Sequence, residues 1–434
     1  MKTAAQVTIP ENQVQEIRSS KLRLIEEAPI QNPSLQNASP NPRRVASIDM
    51  VRGLVMVLMA LDHTRDFISN IPFEPENIDQ TWGFYFLVRW VTHLCAPAFF
   101  LLAGVGAYLY GKRHSPRDLQ RFLVSRGIWL ALLEFTIIGF AWTFHPGWGM
   151  FGVICCLGIS MILLAAFVRL PRVVVMAVAL IVIATHDLFD GLKPAAFHAG
   201  QWLLFVLHRS GRAHVGDISV FVLFPLIPWC AVTLLGFSMG ALFESNSASS
   251  RRTLLWAGAG SLALFTILRF TNIYGNPGAA IAHSTPGDWH PMPTWSKTVI
   301  LFFDVEKYPP SLEFLLMTLG VIFVLLAMGG LGAWGWFGRV LETYGRVPLF
   351  YYILHLYVIH LAAILLGFLT HQPVRWLFHG GFFLNYPPDG APPYGHGLAV
   401  VCAMWICVVA LLYFPCKWFA RVKRDHPDTL LRFF

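Results

Sequence analysis

Met50–Phe67 reads MVRGLVMVLMALDHTRDF, an apolar run that carries Arg52, Asp62, His63, Arg65 and Asp66. A charge held in hydrocarbon costs on the order of 2.5–3.5 kcal/mol on insertion scales, so a spanning helix with this set must turn it toward protein or water. Each helical residue advances 100° and 1.5 Å, which puts Arg52 and His63 about 20° out of phase and roughly 16 Å apart along the axis. Asp49, Met56, Met59 and Asp66 lie near the same stripe. One face therefore presents a guanidinium toward one membrane surface and an imidazole toward the other. A bland reading accounts for the same residues: Arg52 snorkels to the headgroups and DHTRD is the solvated end of the helix. Against it, Asp62, His63 and Asp66 make an imidazole flanked by carboxylates, which fixes a tautomer and raises basicity for proton abstraction.

The surrounding sequence is that of a polytopic membrane protein. Of 434 residues, 56% are hydrophobic and only 13% charged, and mean hydropathy is positive, which excludes an ordinary soluble domain. The net charge of +8 sits in short basic clusters between apolar runs, where topology signals belong, so nucleic acid is not the expected partner. Cys95, Cys155, Cys156, Cys230, Cys402, Cys407 and Cys416 lie in or beside apolar segments and indicate neither a disulfide framework nor a metal site.

Residues 1–45 are rich in Gln, Asn, Ser, Pro and charge, which predicts a disordered arm with no cleavable signal peptide. Residues 46–420 form the membrane domain and 421–434 a short basic tail. Apolar runs predict an all-α bundle of about ten helices: 47–68, 84–110, 122–142, 150–168, 173–186, 218–243, 254–272, 311–330, 347–367 and 397–419. Most Lys and Arg outside these spans fall in one alternating set of segments; the other holds only Lys193, Arg209, Arg212, Lys297, Lys307 and Arg375. The positive-inside rule then places both termini in the cytoplasm. The outer segments carry Trp82, Trp148, Trp202, Trp289, Trp295, Tyr308, Tyr386 and Tyr394 among polar groups, a pattern that suits either sugar faces or an aromatic belt.

Further polar residues inside spans point to an internal site. Arg89 and His93 stand at i, i+4 in the second span, just before Pro97, an expected kink. Arg126 and Glu134 in the third span are about 80° past two turns apart, near enough for one polar seam or an ion pair across helices. Tyr351 and His355 repeat the i, i+4 spacing in the ninth span, whereas His360 reads as a satisfied core histidine.

These residues carry a resemblance. SIDMVRGLVMVLMALDH resembles the first helix of the transmembrane acyltransferases that include lysosomal heparan-alpha-glucosaminide N-acetyltransferase and its bacterial relatives. The spacing from Arg52 to His63 also resembles the first-helix signature of the acyltransferase-3 family. THLCAPAFFLLAGVGAYL, PLIPWCAVTLLGFSMG, RFTNIYG, EKYPPSLEFLLMTLG and YGRVPLFYYILHLYVIHL continue the likeness over nearly the whole chain after the arm. The lysosomal enzyme departs at two places, with Asn in the position of His63 and Asp in that of His93.

The resemblance implies transfer of an acetyl group from cytoplasmic acetyl-CoA to an amino-sugar or glycan acceptor across a bacterial inner membrane, with no metal. Under it, Arg52, Arg89, Lys112, Arg113 and Arg117 are candidates for the donor's phosphates, and His63 or His93 is the base or a transient nucleophile, supported by Asp62 and Asp66. Arg269, Asn272, Tyr274, Trp289, Asp304, Lys307 and Tyr308 are candidates for the acceptor, and Asp49, Arg126, Glu134 and His355 are supporting polar groups. The expected partners are the bilayer, the donor and the acceptor, and a homodimer is one option. The rival reading is a secondary transporter, which commonly shows inverted halves; the first five spans do not match the second five.

Overall fold

The computed structural model describes residues 42–147, 149–192, 200–215, 218–245, 247–276, 288–329, 334–378, 394–426 and 431. The expected arm, Trp148 and Tyr386 lie outside the described residues, apart from the arm's last few. From Arg43 onward the chain is one unit.

Helices stand at all ten expected places. They are α1 (Pro42–Ile68), α2 and α3 (Gly83–Thr92, Cys95–Gly111), α4 (Pro116–Leu133) continued through a π turn at Glu134–Ile138 into α5 (Gly139–Thr143), α6 (Val153–Phe167) and α7 (Arg172–Thr185). After α8 (Gln201–Leu207) come α9 (Leu226–Met239), α10 (Ala248–Thr271), α11 (Trp295–Phe303), α12 (Leu312–Gly329), α13 (Gly335–Gly345), α14 (Pro348–Leu369) and α15 (Leu398–Asp425). Among the described residues, 8 helical stretches are long and apolar enough to cross a membrane. α6 has only 15 residues, and α1 is absent from that set although its 27 residues are long enough. The protein is an all-α polytopic bundle.

Three local differences from the sequence reading have physical causes. The second span breaks between Thr92 and Cys95, just before Pro97, whose ring cannot continue the hydrogen-bond ladder. Residues 218–222, expected at the start of the sixth helix, form a strand instead: alternating ISVFV pairs antiparallel with Gly211–Val215 and parallel with Met150–Phe151 in a three-stranded sheet ordered β1-β3-β2. The β-branched residues there and Pro225 defer the helix to Leu226. Three short helices, α8, α11 and α13, fall in segments expected to be connections.

Helix starts follow local chemistry. The Ser115 hydroxyl accepts from the Asp118 amide with Pro116 in the first turn, and the Ser247 hydroxyl accepts from the Ser250 amide. α3, α9 and α12 are the most enclosed spans, whereas α7, α10 and α15 present most of their surface outward. Close approach of backbones, with glycine at the contact, sets the packing of the interior helices: a Cβ on Gly104 would overlap the Thr233 carbonyl of α9, and one on Gly345 would overlap the Asp49 carbonyl of α1. α1 lies within this interior, with Val51, Val55, Met56, Met59, Ala60 and Phe67 all buried.

Candidate functional site

The last turns of α1 deliver Asp62, His63, Arg65 and Asp66 into a charged network, which removes the account of this end as solvated: Asp62 and Arg65 are buried. The His63 Nδ1 lies 3.4 Å from Asp66 Oδ2, and because a carboxylate only accepts, that nitrogen carries the proton and Nε2 is left basic. Asp66 Oδ1 takes a 2.7 Å bond from Arg65 Nη2, which also lies 3.3 Å from Asp62 Oδ1. Asp62 Oδ2 receives Arg89 Nη1 at 2.6 Å, and Arg89 Nε donates to Glu76 Oε1 at 2.7 Å. Glu76 Oε1 is in turn 3.5 Å from His93 Nε2. One alternating chain of charges thus runs from His63 to His93 through α1, the 69–82 segment and α2.

The i, i+4 spacing of Arg89 and His93 is what lets both meet Glu76. Burial alone would raise the Glu76 carboxyl, but the adjacent Arg89 guanidinium, followed by His93, holds it well below the usual carboxylate range. Burial pushes Asp304 well above the ordinary carboxylate range and Glu306 to about 8, the latter against a 2.8 Å bond from the Tyr308 amide. Lys307 interacts electrostatically with Asp62 and His93 and lies 5.0 Å from the Tyr308 ring centre.

Around His63 the walls are aromatic. Its ring meets Trp142 edge-on at 4.8 Å between centroids and His355 at 5.2 Å. His355 Nδ1 donates to the Tyr351 carbonyl at 3.1 Å, which leaves Nε2 as its lone-pair nitrogen. His360 donates to the Ala141 carbonyl at 2.8 Å and stacks on Phe144, a core histidine as its sequence position suggests.

At the opposite end of α1, Arg52 Nη1 donates to Asp49 Oδ1 at 3.0 Å and to the Gly345 carbonyl at 3.1 Å. Gly345 leads into α14, the helix that also brings His355 to His63, so Arg52 and His63 contact the same neighbouring segment of chain. Arg126 and Lys423 join Arg52 electrostatically, and Arg346 faces Asp49, which makes this end predominantly basic. Lys112 pairs with Glu244 at 3.3 Å, while Arg113 and Arg117 are exposed.

Several expected groupings are not formed. Arg89 is not with Arg52 but in the His63 network, because two carboxylates hold it there. Arg126 and Glu134 share no seam: Arg126 joins Arg52, while the Glu134 carboxylate accepts the Ile154 and Cys155 amides at 2.9 and 3.0 Å and caps the start of α6. Arg269, 1% exposed, is committed to the carbonyls of Leu301, Phe302 and Asp304 and to Glu313, a structural hub out of an acceptor's reach. Asn272 and Trp289 bond one another through the Trp289 backbone, and the Tyr274 hydroxyl donates to the Ala184 carbonyl. Glu74, Glu76 and Trp142 were not singled out by the sequence reading. The signal for the glutamates was present in FEPEN, which places acids in the connection next to a span whose Arg89 has no acid of its own.

Among the described residues no group of histidine, cysteine and carboxylate side chains has the arrangement of a metal site. None of the curated proteins compared matches the chain. The family described as heparan-alpha-glucosaminide N-acetyltransferase, catalytic, matches residues 44–270, just over half of the sequence and the part that contains nearly all of α1, the Glu76 segment, α2 and, of the basic end, Arg52 and Arg126. The chain belongs to the catalytic family of heparan-alpha-glucosaminide N-acetyltransferase, and is a membrane acetyltransferase.

Proposed function

We propose that the protein takes an acetyl group from acetyl-CoA on the cytoplasmic side of a bacterial inner membrane and transfers it to the amine or hydroxyl of an amino-sugar or glycan on the outer side. The observation that carries this reading is the pairing of two unlike ends on one helix: a basic cluster around Arg52 and an Asp66-oriented imidazole at His63. The donor's phosphates meet Arg52, with Arg126, Arg346 and Lys423 adding to Lys112, Arg113 and Arg117. The thioester arm follows the seam between α1 and α14. Met56 and Met59, near the same stripe of α1 as Arg52 and His63, are both buried, and methionine's unbranched side chain is suited to swing aside.

At the far end the His63 Nε2 removes a proton from the acceptor as its nitrogen or oxygen attacks the thioester carbonyl. Asp66 keeps the ring in the productive tautomer and stabilises the imidazolium that forms. His93 is the weaker candidate for this role, because Glu76 stands against its Nε2.

The test is to incubate purified protein with radiolabelled acetyl-CoA, with and without glucosamine or longer amino-sugar acceptors. We expect acceptor-dependent CoA release. His63→Ala should lower kcat about 10²–10⁴-fold, the usual worth of a general base. Absence of CoA release with every acceptor would refute the transferase reading, and full activity in His63→Ala together with loss in His93→Ala would move the base to His93. Substrate counterflow in liposomes would point to the transporter instead.

A further inference from the structure

The His63 imidazole explains how the acceptor loses its proton, but the departing sulfur also needs one, and neither Asp66 nor the guanidinium of Arg52 is an acid suited to give it. α14 carries such a group in position. His355 is 0% exposed, its ring centroid lies 5.2 Å from that of His63, and the two rings are tilted by 37°. Its Nδ1 is occupied by the Tyr351 carbonyl, and its Nε2 has no hydrogen-bond partner among the described residues. A buried polar nitrogen left in this state costs free energy comparable to a lost hydrogen bond; His360 Nε2 is left in the same way, and what sets His355 apart is the His63 ring beside it.

The next polar atom one turn toward the Arg52 end is the Tyr351 hydroxyl, also buried and without a partner among the described residues, on a ring stacked against His355 at 5.5 Å. Tyr351, His355 and His63 thus form a column on the side from which the donor arrives. Trp142 closes the other side of His63 and offers no acid or base.

We propose that His355 is a second catalytic imidazole, which returns to the leaving thiolate the proton that His63 takes from the acceptor. This rests on the transferase reading above. The acceptor's nitrogen or oxygen forms a bond to the acetyl carbon, and the carbon–sulfur bond breaks with its electron pair on sulfur. The acceptor's proton passes to the His63 Nε2, then to the His355 Nε2, and from there to sulfur. The products are acetylated acceptor and free CoA thiol; both imidazoles end neutral and no further reactant is consumed.

The experiment compares two donors that differ in how much their leaving group needs a proton: acetyl-CoA, an alkyl thioester, and the acetyl thioester of 4-nitrothiophenol, whose thiolate is stable unprotonated. His355→Gln should lower kcat/KM about 100-fold with acetyl-CoA but less than about 5-fold with the aryl thioester, whereas His63→Gln should lower both alike. Equal losses with the two donors in His355→Gln mean that the residue only supports the fold, and they overturn the proposal, as does the absence of any loss. Where His355→Gln fails to fold, a series of thioesters of graded thiol acidity with the unaltered protein decides: a shallow dependence of kcat on leaving-group acidity is expected, and a steep one overturns the proposal. No turnover of either donor by the unaltered protein is a different failure, that of the transferase reading itself.

Discussion

Replacing Arg89 with leucine tests whether the chain of charges between His63 and His93 holds that end of the bundle together. The guanidinium makes bonds of 2.6 and 2.7 Å to Asp62 and Glu76, with side chains only 11% exposed for Arg89 and Asp62 and 19% for Glu76. Removing one partner of a buried ion pair costs about 3–5 kcal/mol, because the remaining charge stays buried and uncompensated. Asp62 retains Arg65 at 3.3 Å, whereas among the described residues Glu76 retains His93 at 3.5 Å and a more distant Arg65, so most of the loss falls on Glu76. The expected total is about 3–5 kcal/mol, read as a shift in the unfolding midpoint of the detergent-solubilised protein by tryptophan fluorescence. Adding Asp62→Asn and Glu76→Gln to Arg89→Leu removes the stranded charges and should restore more than half of the loss. A loss below about 1 kcal/mol in Arg89→Leu would refute the reasoning, since it would be no more than an exposed pair gives. So would a triple variant as unstable as the single one, which would assign the effect to lost packing.

Glu306, raised to about 8 by burial, holds its proton in the folded protein at pH values where the unfolded chain has lost it. The folded state therefore binds more protons, and stability should fall as pH rises from about 4.5 to about 8. Glu306→Gln should flatten that part of the profile, and an unchanged slope in the same unfolding assay would contradict it. Glu76 has the opposite sign: its folded value is held low, so its contribution is present above about pH 4.5 and is lost as pH falls below that. Gly345→Ala should destabilise by about 1–3 kcal/mol or more, because its Cβ would overlap the Asp49 carbonyl, and a neutral result would mean that α1 can shift away from α13 at no cost.

Much of this could be read along one dimension. Hydrophobic length and charge placement predict the spans, since a bilayer imposes about twenty apolar residues per crossing whatever the tertiary arrangement. Helical phase places Arg52 and His63 on one stripe, and the structure gives both of them contacts with the segment that runs from Gly345 through His355. Periodicity and side cannot choose partners across helices. Arg89 looked like a donor contact until Glu76 appeared beside it, and Arg269 looked accessible to an acceptor until the carbonyls of 301–304 closed around it. The strand at Ile218–Val222 was missed because a stretch with four apolar residues in five before a helix continues its hydropathy, and only pairing with Gly211–Val215 distinguishes it.

The sequence by itself determined an α-helical membrane protein of the acetyltransferase family, and a first helix with a cation at one end and an acid-flanked imidazole at the other. Only the tertiary structure decided that Glu76 joins Arg89 to His93, that Asp66 stands within 3.4 Å of His63, and that His355 from α14 stands beside it with an Nε2 that bonds no described residue. The physical reason is that axial rise and helical phase are local properties of one segment. The partner of a buried charge is chosen by which helices can approach closely, and here that choice is made by glycine contacts between segments far apart in the chain.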